Sequence, residues 1–351
     1  MSRINILLAA GGGLCLSAAI SLADGISPTS VSATLGVGES TTVHKTVTIS
    51  EGRPTSSQVD VFFLADTTGS MGGNISAVST AASSILASAS SLGDVAFGVG
   101  EYKDQPSTSG DPYAYRLNTN ITTSTSAVTT GIGMWSASGG GDYPEANLYG
   151  LTQMANTSAW RAGSARIAVW FGDASGHDPS GGATLASTIA ALTAQGIEVL
   201  AIDLGGLNDT GQATAITCDT GGTLYSGINS GSIVTTINNA ITSSFATYSS
   251  VGLDLSGAPA GVTVTSTPGY VGTYDRSIDR TFGFDVTFTG AAPGTYDFSI
   301  YGTVNGGHVA TEADHIVVTG EGVPDGGSSI LLLGLGLAGM GLARRKMART
   351  V

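Results

Sequence analysis

Cysteine is one of the rarest side chains in this sequence. Two cysteines occur among 351 residues, and Cys15 lies in an apolar N-terminal stretch, residues 1–23, that has the character of a secretory signal peptide. Cys218 is then the only cysteine of the exported chain, which excludes an internal disulfide. We expect Cys218 to be a small buried hydrophobe. Export is therefore indicated by the leader and not by paired cysteines.

Charge is also scarce, and basic charge is the scarcer sign. Lys and Arg number 13 against 26 Asp and Glu, and five of the basic residues lie in the leader or in the last eight positions. Between residues 24 and 327, eight basic residues stand against all 26 acidic ones, a formal charge of −18. Such a surface repels nucleic acid and attracts cations and basic partners.

The central part of the chain alternates between two patterns. Short apolar runs rich in β-branched residues predict strands, and apolar residues three and four positions apart predict helices. The predicted strands are 59–65, 95–103, 166–171 and 198–203, and the predicted helices are 74–91, 144–156, 184–195 and 230–245. This alternation is typical of a doubly wound α/β domain with a mostly parallel sheet covered on both faces, here spanning residues 58–248.

Two flanking regions show the polar and apolar alternation of antiparallel strands. Residues 32–50 form two such runs around a Gly-Val-Gly-Glu turn, and residues 251–320 form several short runs separated by glycine and proline. Because an isolated hairpin is only marginally stable, we expect residues 27–52 and 249–320 to form one small Ig-like β-sandwich with the α/β domain inserted into it. The alternative is a free N-terminal ribbon and a separate small domain that follows the α/β domain.

Three features occur in order at the C-terminus. A polar linker containing Val323-Pro-Asp-Gly-Gly occupies 321–327, an apolar run occupies 328–343, and a basic tail with Arg344-Arg345-Lys346 occupies 344–351. The apolar run is short for a transmembrane segment, but the basic residues after it fit a cytoplasmic end. The arrangement resembles PEP-CTERM-type sorting signals in their Val-Pro-Asp variant. The resemblance implies membrane anchoring through this helix, then processing by an exosortase-type enzyme, and a place at the cell surface or in the extracellular matrix of a Gram-negative bacterium.

One loop is rich in side-chain oxygens. Asp66, Thr68 and Ser70 occupy alternate positions directly after the first predicted strand. In an open α/β sheet, ligands bind at the carboxyl ends of the strands. Carboxylate and hydroxyl groups without Cys or His suit Mg²⁺, Mn²⁺ or Ca²⁺. The alternative is a helix N-cap cluster that binds no metal.

Four more acidic residues are expected at the same edge of the sheet. Asp104 and Asp173 follow two other predicted strands, and Asp142 and Glu145 flank the start of the helix predicted at residue 144. Carboxylates that converge without a cation repel one another. The pattern therefore predicts a divalent cation at this edge.

The Asp-x-Thr-x-Ser pattern resembles the metal-ion-dependent adhesion site of von Willebrand factor A (VWA) domains, in which Ser usually replaces this Thr. The segments Lys103-Asp-Gln-Pro, Asp142-Tyr-Pro-Glu and Ala168-Val-Trp-Phe-Gly-Asp resemble the I-like domain of integrin β subunits. The resemblance implies a cation, foremost Mg²⁺, with the ligands Asp66, Thr68, Ser70, Glu145 and Asp173. It also implies a second metal site formed by Asp104, Asp142, the carbonyl of Pro144 and Glu145, although Gly140 stands where integrins have Asn.

These features predict a non-enzymatic binding protein that captures an acidic side chain of a protein or matrix partner through the cation. One alternative is a structural matrix protein in which the metal only stabilises the domain. A metal-dependent hydrolase is disfavoured, because the sequence offers no placed general base and no His-rich shell. His177 is interpreted as part of a solvated loop, with a place in the metal shell as the alternative. His44, His308 and His315 are interpreted as surface or satisfied sandwich residues.

Overall fold

The computed structural model describes residues 23–52, 54 and 57–320. The strands of these residues are β1 (Gly25–Ser27), β2 (Ser30–Gly36), β3 (Ser40–Ile49), β4 (Ser57–Asp66), β5 (Gly93–Tyr102), β6 (Tyr115–Thr122), β7 (Ala165–Gly172), β8 (Ile197–Asp203), β9 (Thr223–Tyr225), β10 (Thr247–Asp254), β11 (Val262–Ser266), β12 (Tyr270–Asp275), β13 (Arg280–Gly290), β14 (Gly294–Val304) and β15 (Gly307–Thr319). The α-helices are α1 (Gly72–Ser90), α2 (Pro106–Ser109), α3 (Thr125–Gly133), α4 (Asn147–Thr157), α5 (Leu185–Ala194), α6 (Gln212–Thr220) and α7 (Ile233–Ser243), and a short 3-10 helix covers Gly69–Met71.

The central sheet has the strand order β6-β5-β4-β7-β8-β9. Every neighbouring pair in it is parallel except β5 and β6, so the predicted mostly parallel sheet is confirmed. Helices α1, α3 and α7 cover one face, and α4, α5 and α6 cover the other. Strand β4 contributes Val61 and Phe63 to one core and Phe62 and Leu64 to the other. Burial on both faces explains why this strand is a continuous apolar run.

Two expectations about the central domain are wrong. The helix predicted from Pro144 begins at Asn147, because the backbone before it bonds to neighbouring loops: the Glu145 N–H donates to the Ser175 carbonyl and the Ala146 N–H donates to the Lys103 carbonyl, each at 2.9 Å. Cys218 is exposed and not buried. The buried face of α6 includes Ile216 and Thr217, and Cys218 lies on the exposed face of the helix.

The flanking strands form two further sheets, with the orders β1-β3-β13-β11 and β12-β10-β14-β15-β2. Strand β3 pairs with β13 over ten residues, and β2 runs parallel to β15. Side chains of both sheets, such as Val47 and Phe284 from one and Ile300 and Ile316 from the other, share one core. The strands before the α/β domain are therefore hydrogen-bonded to the strands after it.

The α/β domain and the flanking sheets touch at the end of the central sheet opposite to the carboxyl ends of its parallel strands. The chain enters the domain at β4 and leaves it after α7 into β10. The His308 N–H donates to the Gly163 carbonyl, at 2.8 Å, in the loop before β7. His308 also contacts Asp254 at 2.8 Å, and His44 and His315 pair with Asp285 and Asp297, in keeping with their predicted structural roles.

Among the described residues, no helix has the length and apolar character needed to cross a membrane. The predicted signal peptide, apart from residue 23, lies outside the described residues. So do the predicted linker and sorting motif at 321–327, the membrane segment at 328–343 and the basic tail at 344–351.

Candidate metal centre

The loop after β4 brings four of the predicted ligands together. Asp66 is the last residue of β4 and is fully buried. Its Oδ1 accepts hydrogen bonds from the N–H and the Oγ1 of Thr68, at 2.9 and 2.7 Å. The Ser70 Oγ lies 3.5 Å from the Thr68 Oγ1 and donates to the Oδ1 of Asp173, at 3.0 Å, directly after β7. Three short side chains from one loop thus meet a carboxylate from the neighbouring strand.

Glu145, the fifth predicted ligand, approaches the same loop across Gly140. A Cβ atom added to Gly140 would lie 2.9 Å from the Glu145 Oε1 and 2.9 Å from the Thr68 Cβ. Gly140 also has a φ of +77°, a conformation that glycine adopts readily and other residues rarely do. The Gly140 N–H donates to the Oδ2 of Asp111, at 3.0 Å, which fixes this backbone. Glycine at position 140 therefore lets Glu145 come close to Thr68.

A buried lysine supports the loops around the site. Lys103 donates from Nζ to the carbonyl of Thr67 and to the carbonyls of Ser136 and Ser138, the latter two at 3.1 and 2.6 Å. Burial lowers the pKa of Lys103, while the nearby Glu101 opposes that shift. Its side chain joins the loop after β4 to the loop after α3.

Two carboxyl groups of the site, those of Asp66 and Glu145, each have one buried oxygen without a hydrogen-bond partner among the described residues. Burial raises the pKa of Asp66 to about 7, and burial together with the charge of Asp66 raises the pKa of Glu145 to about 8. Among the described residues, the Asp66 Oδ2 and the Glu145 Oε2 have no hydrogen-bond partner. A buried acceptor without a partner is costly. The oxygen-only donor set and these two unpaired oxygens fit a hard divalent cation.

A second cluster lies next to the first. Ligand atoms of Asp104, Asp142 and His177 all lie within 4.8 Å of one another. The His177 Nε2 is 3.7 Å from the Asp104 Oδ1 and 3.6 Å from the Asp142 Oδ2. Burial and a hydrogen bond with Asp142 raise the pKa of Asp104 to about 6, whereas the hydrogen bond with Asp104 lowers the pKa of Asp142. Pro144, also predicted for this site, lies in the same loop after a cis peptide bond.

His177 is the residue of this cluster that the sequence interpretation undervalued. The sequence favours a solvated loop over a place in the metal shell, but in the structure His177 faces both carboxylates and its side chain is 30% exposed. Its N–H donates to the carbonyl of Glu145 at 2.9 Å, which joins the loop after β7 to the loop before α4. Its position four residues after Asp173, beyond the carboxyl end of a central strand, was the available signal.

Glu101 is another residue that the sequence reasoning did not assign. It is fully buried, and its Oε2 accepts from the Oγ1 of Thr67 at 2.8 Å. Its carboxylate also accepts from Arg116, from the Asn118 Nδ2 at 2.8 Å and from the Tyr113 hydroxyl at 3.0 Å. This fully paired carboxylate holds the Thr67 side chain and is structural, in contrast to Asp66, whose Oδ2 has no partner among the described residues.

Comparison with known families agrees with this fold. Residues 60–232 match the model of the von Willebrand factor A domain, and residues 322–347 match the VPDSG-CTERM motif. The chain thus contains a VWA domain of the α/β type. It also carries a C-terminal sorting motif of the VPDSG-CTERM kind. The resemblance to VWA domains and the resemblance to a Val-Pro-Asp sorting signal are therefore confirmed.

Three of the solved structures to which this chain shows similarity are the following. A von Willebrand factor type A protein from Catenulispora acidiphila is 15% identical, with 82% of this chain and 71% of that chain covered and a TM-score of 0.45. The pilus adhesin SpaC from Lactobacillus rhamnosus GG is 14% identical, with 80% of this chain and 45% of that chain covered and a TM-score of 0.42. Proximal thread matrix protein 1 from the mussel byssus is 12% identical, with 56% of this chain and 48% of that chain covered and a TM-score of 0.43. A comparison with curated protein sequences found no match.

Proposed function

We propose that the VWA domain binds a divalent cation and uses it to capture an acidic side chain of a protein or matrix partner. The cation is foremost Mg²⁺, with Mn²⁺ and Ca²⁺ as alternatives, and its ligands are Asp66, Thr68, Ser70, Glu145 and Asp173. The observation that carries this proposal is the pair of buried, unpartnered carboxylate oxygens, the Asp66 Oδ2 and the Glu145 Oε2. VWA domains commonly bind a divalent cation, which agrees with this assignment.

The uneven burial of the ligands favours a cation site that is open to solvent on one side. Asp66 and Thr68 are buried, whereas Ser70 is exposed. A cation held by these residues would be shielded from water by the buried Asp66 and Thr68 and reachable from solvent beside the exposed Ser70. An acidic partner would be repelled by the carboxylates alone, so the cation supplies the attraction that such a partner needs. This access favours capture of a ligand over the alternative of a purely structural metal.

The context of the site is extracellular. The VPDSG-CTERM motif supports export, retention in the membrane through the C-terminal helix and processing by an exosortase-type enzyme. We infer, with the support of this motif and of the leader, that the domain lies at the cell surface or in the extracellular matrix of a Gram-negative bacterium. We infer that the protein is a binding protein and not an enzyme, since VWA domains are typically adhesion domains.

Three finer assignments belong to this proposal. The domain is of the integrin β I-like subtype, and the two flanking sheets are one Ig-like sandwich into which it is inserted, as the pairing of β3 with β13 and of β2 with β15 supports. A second cation is held by Asp104, Asp142, the carbonyl of Pro144 and Glu145, with His177 as a further ligand. An imidazole ligand shifts the preference of this second site toward Mn²⁺ or Zn²⁺ and away from Ca²⁺.

The test uses peptides that differ in one functional group. The protein is immobilised, and peptides with a single Asp or Glu are compared with their Asn or Gln counterparts in Mg²⁺ and in EDTA. We expect binding only of the acidic peptides, only with the cation, and not by Asp173→Ala. Asp297→Ala, an exposed carboxylate in the flanking sheets, is the matched control and keeps binding. A cation that stabilises the protein while no acidic peptide binds would support the structural alternative.

A further inference from the structure

An amine and two carboxyl groups meet in the core between the two flanking sheets, far from the metal centre. Lys45 comes from β3 in one sheet, and Glu312 and Asp314 come from β15 in the other. Their side chains are all 0% exposed. Charged residues are almost never fully buried unless they are paired, so three of them in an apolar core require an explanation.

The contacts within this triad are uneven. The Lys45 Nζ hydrogen-bonds to the Glu312 Oε1 and lies 3.8 Å from the Asp314 Oδ1. It also lies 5.2 Å from the centre of the Phe288 ring. Within the part of the chain that the structure describes, the Glu312 Oε2 and both oxygens of Asp314 have no hydrogen-bond partner.

An ordinary buried ion pair accounts poorly for this arrangement. A buried pair is favourable only when further hydrogen bonds satisfy its remaining lone pairs. Here one ammonium faces two carboxyl groups, and three oxygens lack a partner. The side chains that lie opposite in the ladders carry no donor: Phe284 lies opposite Lys45, and Ile300 lies opposite Glu312. The groups are thus held in contact in surroundings that favour a neutral product over separated charges.

We propose that Lys45 and Glu312 are joined by an intramolecular amide bond that links β3 to β15. The Lys45 Nζ attacks the Cδ of Glu312, a C–N bond forms, and one C–O bond of the carboxyl group breaks. The ammonium and the carboxylate together hold the atoms of the amide and of one water, so the step needs no oxidant, nucleotide or other reactant. Asp314 takes a proton from the nitrogen and gives one to the departing oxygen, and it ends in its starting state.

Three properties of the site favour this condensation. Holding the amine against the carboxyl group replaces a collision by a local step, and well-oriented groups of this kind reach very high effective concentrations. The product is neutral, so two buried charges disappear from the core. Burial raises the pKa of Asp314 to about 7, with a further rise from Glu312 that Lys45 opposes, and a group with a pKa near the working pH transfers protons efficiently in both directions.

Peptide mapping of the purified full-length protein by mass spectrometry tests the proposal. After denaturation and digestion, we expect one branched peptide that contains positions 45 and 312, with a mass lower by one water than the sum of its two parts. Fragmentation of this peptide places the bond at Glu312. Separate, unmodified peptides for the two positions in folded protein would overturn the proposal, and a bond at Asp314 would overturn the assignment of acceptor and proton carrier.

Two variants distinguish the roles of the carboxyl groups. Asp314→Ala removes the proton carrier, so we expect the unbranched peptides; full branching in this variant would refute that role. Glu312→Gln presents a carboxamide that releases ammonia in place of water, and any branched peptide it forms has the same mass as that of the wild type. The map of the wild-type protein decides whether the bond exists even if a variant fails to fold.

Discussion

Removing one charged partner from a core usually destabilises a protein, but we expect Asp66→Asn to stabilise the metal-free protein at high pH. The folded-state pKa of Asp66 is raised from 3.8 to about 7, so the metal-free folded protein holds this proton more tightly than the unfolded chain does. The stability that this proton contributes is complete below pH 3.8, falls as the pH rises to about 7, and is absent above it. Asn has no proton to lose, so Asp66→Asn removes this contribution to the pH dependence.

The size of the effect follows from the surroundings of Asp66. The rise in its pKa corresponds to about 4 kcal/mol between pH 4 and pH 8, from about 1.36 kcal/mol per pKa unit. Asn can still accept from Thr68 through Oδ1, but its amide group then occupies the position of the unpartnered Oδ2, which costs about 1–3 kcal/mol at every pH. In EDTA the variant is therefore less stable than the wild type at pH 4 and more stable by about 2 kcal/mol at pH 8.

Urea unfolding of both proteins in EDTA at pH 4, 6 and 8 measures this crossover. Mg²⁺ at about 100 times its Kd then adds about 2.7 kcal/mol to the wild type at pH 8 and nothing to Asp66→Asn. Asp104 contributes to both proteins, whereas the pKa of Glu145 loses the upward contribution from the charge of Asp66 in the variant, so the difference between the two curves reports Asp66 together with its coupling to Glu145. A constant difference from pH 4 to pH 8 would show that Asp66 is not the buried, uncompensated carboxylate described above.

Further changes test other parts of the site and its support. Ser70→Ala removes one hydroxyl ligand and the hydrogen bond to Asp173; because Ser70 is exposed, we expect less than about 1 kcal/mol lost in EDTA but a reduced stabilisation by Mg²⁺ in thermal unfolding. Gly140→Ala places a Cβ against Glu145 at positive φ, so calorimetry should show weaker Mg²⁺ binding. His177→Ala should weaken Mn²⁺ or Zn²⁺ binding at the second cluster by about 10–100-fold in titrations, with unchanged stabilisation by Mg²⁺. Arg161→Ala leaves the buried Asp60 without its cation and should cost about 3 kcal/mol in urea unfolding while the response to Mg²⁺ persists.

The parts of the fold that the sequence predicted are those with local signals. Strand β4 is buried on both faces and therefore appears as an unbroken apolar run, and Asp66 ends that run. Strand β6 was missed because it is an edge strand that is only partly buried, and polar residues such as Asn118 interrupt any apolar pattern. The candidate ligands after β4 and β7 were found because the carboxyl ends of parallel strands necessarily share an edge.

The contacts between loops could not be predicted in the same way. Pro144 is a common first residue of a helix, yet the backbone at Glu145 and Ala146 bonds to other loops and α4 starts later. His177 reaches Asp104 and Asp142 only because a long-range bridge aligns residue 176 with residue 145. The Lys45, Glu312 and Asp314 cluster joins positions at opposite ends of the chain. Sequence patterns over a few residues do not predict these contacts, because the contacts form only when distant segments of the chain pack together.

The two chain connections between the α/β domain and the flanking sheets determine how a pull on the domain is transmitted. The connection before β4 comes from β3 in one sheet, and the connection after α7 runs into β10 in the other. A domain on a single linker can swivel freely, but a domain with two connections can only rock about the line that joins them. Tension applied at the metal-binding edge is therefore divided between both sheets, and the α/β domain keeps its orientation toward whatever is pulling on it.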